Sequence, residues 1–237
     1  MTRPAEFDQF AENYDERLNN ALSASGETKD FFARGRVEWL AQCLREISVS
    51  VHSAIDYGCG VGGTTVFLRN LLPCRSVLGL EISELELDRA KRDYGCATCR
   101  FLTFPEFQPD GSVDLVYCNG VFHHIPPVER AGSVNYILRC LRPGGIFALW
   151  ENNPWNPGTQ YVMHRCDFDR DAVKISPPGA VRMLRSGGFE ILRTDYRFVF
   201  PRTLSWLRSL EPALAKIPLG GQYQILARKR QSYTNER

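Results

Sequence analysis

The stretch Ser53-Ala54-Ile55-Asp56-Tyr57-Gly58-Cys59-Gly60-Val61-Gly62-Gly63-Thr64 decides how the rest of the chain is read. Its first half is a short, mostly apolar run with an acid near its end, as in a buried strand. Its second half is a glycine loop that opens onto a helical pattern, Val66, Phe67, Leu68 and Leu71, stopped at Pro73. Strand, glycine turn and helix in that order form the first unit of a parallel α/β sheet, with ligands bound beyond the strand's carboxyl end. Glycines there let the backbone take left-handed conformations and approach a ligand closely. Gly58, Gly60 and Gly63 also satisfy the spacing of a dinucleotide loop, so the glycines alone do not choose the ligand.

Upstream of the loop, Phe31, Phe32, Val37, Leu40, Ala41, Leu44 and Ile47 recur at helical spacing. Downstream, strand patterns at 76–82, 99–104, 113–118 and 146–150 alternate with helical ones at 84–93 and 134–141. This alternation predicts an α/β domain built on a parallel sheet. The continuous apolar run 146–150 asks for cover on both faces. Residues 152–178 are Pro-rich and without a regular period, so they read as an irregular loop of the length that often serves as a lid. A helix at 180–186 and strands at 189–200 and 223–227 complete the pattern. Leu204, Leu207, Leu210 and Leu214 share a helical face between those strands, which predicts core packing. The alternative for that face is a cover for a greasy substrate or a membrane-surface contact.

With 237 residues, 43% hydrophobic and 24% charged, the chain fits one domain with a proper core. A net charge of +2, without a basic stripe, argues against a nucleic-acid partner. No apolar run approaches the ~20 residues of a membrane span, so stable membrane insertion is not expected. The first ten residues lack a basic start followed by an apolar stretch, so no secretory signal is expected and the chain reads as cytoplasmic. Its eight cysteines should then be reduced thiols. Cys96 and Cys99 form a C-x-x-C, but no second pair stands at zinc-ligand spacing, so no metal site is expected.

Two acids narrow the ligand. Glu81 closes the second strand near the usual ribose-binding spacing of ~20 residues, where a carboxylate can accept from both hydroxyls of one ribose. Asp56 precedes the first glycine by two residues. A carboxylate there sits poorly beside a pyrophosphate and well beside an α-ammonium group, which favours a zwitterionic, sulfonium-bearing ligand over NAD.

With these residues in place, the chain resembles the class I S-adenosylmethionine-dependent methyltransferases, in the broad group that methylates small molecules. The resemblance runs from about Phe7 to Ala227. It is carried by residues 7–14, by 56–62, by Leu80-Glu81-Ile82, by 110–119 followed by Phe122-His123-His124-Ile125, and by 141–146. It implies an α/β fold, a Rossmann-like seven-stranded, mostly parallel sheet with an antiparallel C-terminal hairpin, and S-adenosylmethionine as cofactor. It implies one domain, with a helical cap (1–50), a cofactor-binding core (51–150), a substrate lid (151–178) and a C-terminal helix and strands (179–237). It also implies roles: Asp56, Gly58 and Gly60, with Cys59 between them, for the methionine end, Glu81 for the ribose, and Ile82 for the adenine face. Asn119 would lie near the methionine portion, and Tyr14 either closes over the cofactor or packs. Where relatives carry an acid after the third strand, this chain has Leu102-Thr103-Phe104-Pro105, so Thr103 and Phe104 are read as covering the ring instead.

A sulfonium is already a good leaving group, so the protein mainly aligns the reactants. A base is needed only when the acceptor is protonated. His124, His123 and Glu151 follow the fourth and fifth strands on the ligand side, each as a base or substrate contact or as a packing residue. Asn153, Trp155, Tyr161 and Arg165 suit a pocket wall for a small molecule with an apolar body. The resemblance implies oxygen as the acceptor atom. Two other readings are an NAD-dependent oxidoreductase and a non-methylating cofactor binder. Short-chain reductases begin with the glycine loop and carry Tyr-x-x-x-Lys, whereas here the loop comes late and no tyrosine has a lysine four positions on.

Overall fold

The computed structural model describes residues 19–166 and 172–231. Helix α1 (Lys29–Glu46) starts at Thr28, whose side chain accepts from Phe31 N–H. Val37, Leu40 and Leu44 of its buried face pack with Ala54, Leu68, Leu115, Ala148 and Leu226 in one of the two large cores. The helix is thus a layer of the domain as much as a cap. The glycine turn joins β1 (Ser53–Tyr57) to α2 (Gly63–Leu71). There follow β2 (Ser76–Glu81), α3 (Glu84–Tyr94), β3 (Cys99–Thr103), β4 (Val113–Asn119), α4 (Arg130–Cys140) and β5 (Leu141–Asn152). After these come α5 (Pro157–Arg165), α6 (Pro177–Ser186), β6 (Phe189–Arg197) and β7 (Gln222–Lys229).

The strands form one seven-stranded sheet in the order β3-β2-β1-β4-β5-β7-β6. The first five pair in parallel, and β7 runs antiparallel to both β5 and β6. This is the expected Rossmann-like sheet with its antiparallel C-terminal hairpin. The chain reverses its build direction between β1 and β4, and the crevice at such a switch point is where α/β sheets bind ligands. Strand residues alternate between faces. In β1, Ile55 and Tyr57 enter the core shared with α4 and α6, whereas Ala54 enters the α1 core. By the same alternation Asp56 faces α1.

Three sequence expectations are corrected. The 152–178 stretch is not wholly irregular: β5 reaches Asn152 and α5 follows, because Asn156 accepts from Thr159 N–H and Pro157 opens the helix. The sixth strand ends at Arg197 rather than at residue 200. There Phe198 turns to φ +64°, and the Glu211 carboxylate takes the N–H groups of Phe198, Val199 and Phe200 out of the ladder. The leucine face after it is not core. Residues Arg202–Leu210 form a 3₁₀ run with a kink at Leu204, so the 3.6-residue period never develops. Leu204, Trp206 and Leu210 are 40%, 74% and 51% exposed among the described residues.

Candidate active site at the carboxyl ends of β1, β2 and β4

The glycine loop is tied to the end of β2: Gly58 N–H and Cys59 N–H both donate to Leu80 O, at 2.8 and 3.0 Å. Gly58 has φ +71° and Gly60 φ +52°, a left-handed backbone that favours glycine. At Gly58 even a methyl group would collide with the Val121 side chain, so the loop after β4 lies directly against this turn. The partly buried Cys59 thiol packs by Gly60 O at 3.6 Å, and desolvation pushes its pKa well above the ordinary thiol value.

Glu81 braces the loop from β2. Its Oε2 accepts from Gly60 N–H at 2.9 Å, and its Oε1 accepts from Ile82 N–H and Ser83 N–H at 2.7 and 3.1 Å. Each carboxylate oxygen has two lone pairs, so Oε2 retains an acceptor site for a hydroxyl. Ile82, beside it, is 67% exposed. Asp56 is sealed in the opposite way. It accepts from Thr65 Oγ1 at 2.7 Å and is 2% exposed. Burial pushes its carboxyl up to about 7, against the Thr65 hydrogen bond and the charge of Arg36, with Glu81 adding to the rise. A buried acid in this state is stabilised as an anion by an incoming cation. Left-handed glycines, a braced acid and a buried acid fit the ribose and the α-ammonium group of S-adenosylmethionine.

Beyond β4, Gly120 N–H donates to Trp150 O at 3.0 Å, and Asn119 pairs with Trp150 at the strand ends. Two of the three candidate catalytic residues prove to be one unit: His123 Nδ1 lies 2.6 Å from Glu151 Oε2, and both are buried. The other oxygen, Oε1, accepts from Phe122 N–H at 2.9 Å, pinning the loop. His124 is partly exposed, its ring 4.2 Å from that of His123.

Thr103 is occupied in a capping box with Glu106, whose carboxylate accepts from Thr103 N–H at 2.7 Å and from its hydroxyl at 2.9 Å. Phe104 packs edge-on against Tyr57 and Tyr136, so it belongs to an aromatic cluster rather than standing as a free ring cover. Asn153, expected in a pocket wall, is fully buried. Its amide donates to Pro218 O and Gly220 O and accepts from Trp155 N–H, so it staples the loop before β7. Trp155 and Tyr161 are half exposed, and Arg165 donates to Tyr161 Oη at 2.6 Å. Tyr14 lies outside the described residues. The sequence reading missed Thr65, Arg36, Tyr117 and Gln222, which surround Asp56 or one another. Arg36 did leave a signal: it interrupts the apolar face of α1 one helical turn before Leu40.

Among the described residues no group of three or more His, Cys, Asp or Glu could hold a metal ion. No helix there is long and apolar enough to cross a membrane.

Comparison with known proteins agrees with this geometry. The family described as "Methyltransferase domain" matches residues 55–149, which span β1 to β5. Over 179 residues the chain is 27% identical to a sterol 24-C-methyltransferase of Pneumocystis carinii, covering 70% of this chain and 47% of that protein. A trans-aconitate 2-methyltransferase of Acidovorax sp. is 25% identical over 183 residues, 69% of this chain and 70% of the relative. The chain spans about half the length of the sterol methyltransferases it matches. A Haloferax volcanii methyltransferase solved in complex with the Trm112 methyltransferase activator shares the fold. Its TM-score is 0.66 at 18% identity, over 98% of this chain and 100% of that one. Residues 55–149 thus match the methyltransferase-domain family, and the glycine loop, the two acids and the sheet order of the chain are similar to those of the class I S-adenosylmethionine-dependent methyltransferases.

Proposed function

We propose that the protein transfers the methyl group of S-adenosylmethionine to a hydroxyl oxygen of a small, largely apolar molecule, in the cytoplasm, without a nucleic-acid partner. Relatives named for a sterol and for trans-aconitate support a free small molecule as acceptor. Half-exposed Trp155 and Tyr161 offer apolar surface for its body. All described cysteines are free thiols, which suits a reducing compartment.

The observation that carries the reading is the loop after β4. The buried His123–Glu151 pair fixes it, and His124 is left as its partly exposed imidazole, at the same sheet edge as Asp56 and Glu81. The cofactor supplies an activated methyl on a sulfonium. The only proton to be managed is the acceptor's, and a neutral imidazole can take it during transfer. His124 is the base in this reading, and His123 and Glu151 hold it in place.

The test is transfer of labelled methyl to a panel of hydroxylated small molecules and to their O-capped analogues. Hydroxyl-dependent product is expected, and labelling of the capped analogues would overturn the oxygen assignment. His124→Gln should lose ~10²–10⁴-fold in turnover, with unchanged S-adenosylhomocysteine affinity. Turnover within about twofold of wild type would move the base elsewhere. Tight cofactor binding with no product from any metabolite extract would favour a protein that binds the cofactor and transfers nothing.

A further inference from the structure

Cys96 and Cys99 close a tight turn between α3 and β3. Each donates its N–H to the other's carbonyl, Cys96 N–H to Cys99 O at 2.9 Å and Cys99 N–H to Cys96 O at 3.1 Å. Residues that exchange both bonds stand directly opposite each other, ~5.5 Å apart between Cα atoms, with their side chains on one face. A disulfide spans ~4.4–6.8 Å between Cα atoms, so this pair can be bridged. The two thiols differ sharply in surroundings. Cys96 is the exposed one of the eight cysteines. Its sulfur accepts from an Arg69 terminal N–H at 3.2 Å and lies 3.5 Å from Thr98 Oγ1. The Thr98 hydroxyl and N–H, and then Arg69, pull the Cys96 thiol down to about 7. Cys99 is 1% exposed and packs with Leu87, Ala90 and Phe101. Burial pushes its thiol up to about 11, and the Cys96 charge adds to the rise.

An exposed sulfur beside a guanidinium is a nucleophile, and a neutral thiol directly opposite is placed to resolve whatever adds to it. We propose that Cys96 and Cys99 form a reversible thiol–disulfide site, where a low-molecular-weight disulfide, RSSR, thiolates Cys96 and Cys99 then closes the bridge. The Cys96 thiolate attacks one sulfur of RSSR. A Cys96–SR bond forms as the RS–SR bond breaks and RS⁻ leaves. Cys99 gives its proton to that RS⁻ and attacks the Cys96 sulfur, expelling a second RS⁻ that takes a proton from water. The protein loses two electrons, and RSSR gains them as two RSH. To reach Cys96, the Cys99 sulfur must leave its core, and that core floors the glycine loop. A methyl group at Gly62 would collide with Phe101 and Ala90, and Cys59 packs on the same cluster. Bridging also ends the Cys96 contact with Arg69 of α2, the helix that the loop opens. The bridged protein therefore holds its loop less firmly and binds the cofactor more weakly. Bridge formation stands apart from the S-adenosylmethionine assignment, whereas its effect on affinity rests on that reading.

The test equilibrates the full chain with glutathione disulfide, blocks the remaining thiols and digests with trypsin, which releases residues 93–100 with these two cysteines alone. The wild-type peptide should be lighter by two hydrogens than its reduced form. In Cys99→Ala it should instead carry one glutathione on Cys96. In Cys96→Ser, whose change lies at the surface, Cys99 should neither bridge nor be thiolated. Iodoacetamide labelling of Cys96 should rise with pH through about 7 in wild type, and Thr98→Val or Arg69→Met should move that midpoint upward. By calorimetry the bridged protein should bind S-adenosylhomocysteine severalfold more weakly, with recovery on reduction and no change in oxidised Cys96→Ser. A wild-type peptide that stays reduced or stops at the glutathione adduct would overturn the proposed site. An affinity loss of the same size in Cys96→Ser, or none in the bridged wild type, would overturn its link to the glycine loop. Reduced wild type that binds no S-adenosylhomocysteine would overturn the cofactor assignment, while the peptide mass still decides the bridge.

Discussion

Asp56 carries a proton-linked cost that a ligand can relieve. Its folded-state pKa, about 7, lies above the ordinary carboxylate value, so burial stabilises the protonated form. In the ligand-free protein this contribution is present below the unfolded-state pKa of ~3.9 and is lost as pH rises through about 7. A bound ammonium favours the ionised form. Affinity for S-adenosylhomocysteine should therefore rise with pH up to about 7 and level off above it, with a proton released on binding below that point. Asp56→Asn should flatten the profile in a calorimetric pH series, and an unchanged slope would place the ammonium elsewhere. Glu81→Ala should reduce affinity on the order of a hundredfold or more, since it removes hydrogen bonds to a charged acceptor worth ~1.5–3 kcal/mol each. It also frees Gly60 N–H, so slower loop exchange in wild type than in the variant should accompany the loss. These two acids were legible because they stand at fixed offsets from the glycines. The His123–Glu151 pair was not, because the partners are 28 positions apart and only the β4–β5 register brings them together. Arg36 was hidden because the helix was read by its apolar residues alone.

Among the elements, the β1–α2 turn and α5 can be probed separately. Gly58→Ala meets two obstacles, a left-handed backbone and the Val121 side chain. It should cost ~2–4 kcal/mol in chemical denaturation, the sum of a strained φ and an overpacked contact. Val121→Ala in the same chain should recover only part of this, because the backbone term remains. Full recovery would show that the collision alone matters. Asn156→Ala removes a helix cap and a bond to Leu219 O, and a loss of ~1 kcal/mol or somewhat more is expected. The strands through β5 and the helices between them could be read from the sequence, since each has its own period. The Asn156-Pro157 start of α5 is masked in the sequence by the prolines of 152–178, although proline fits the first turn of a helix. The early end of β6 could not be read, because Glu211, which causes it, lies beyond the strand in a different element.

On the scale of the molecule, fold class and strand count followed from the alternation of patterns, whereas burial beyond β6 did not. Periodicity assigned Leu204 and Leu210 to the core, yet the 3₁₀ run turns them outward with Trp206. Replacing Leu204, Trp206 and Leu210 together with Ser should leave the denaturation midpoint nearly unchanged, within about 0.5 kcal/mol per site. A large loss would mean that this surface is covered in solution. Sheet order also bears on how the protein is made. Strand β7 lies between β5 and β6, yet it is synthesised after both. A nascent chain that has emerged only as far as β6 therefore carries an open slot in its sheet, with unpaired edges that invite chaperones or a neighbouring chain. The same strand begins with Gln222, the residue that steadies Arg36. An emerging chain therefore presents its glycine loop long before Arg36 has its Gln222 partner, and only a chain that has closed its sheet completes the buried face around Asp56.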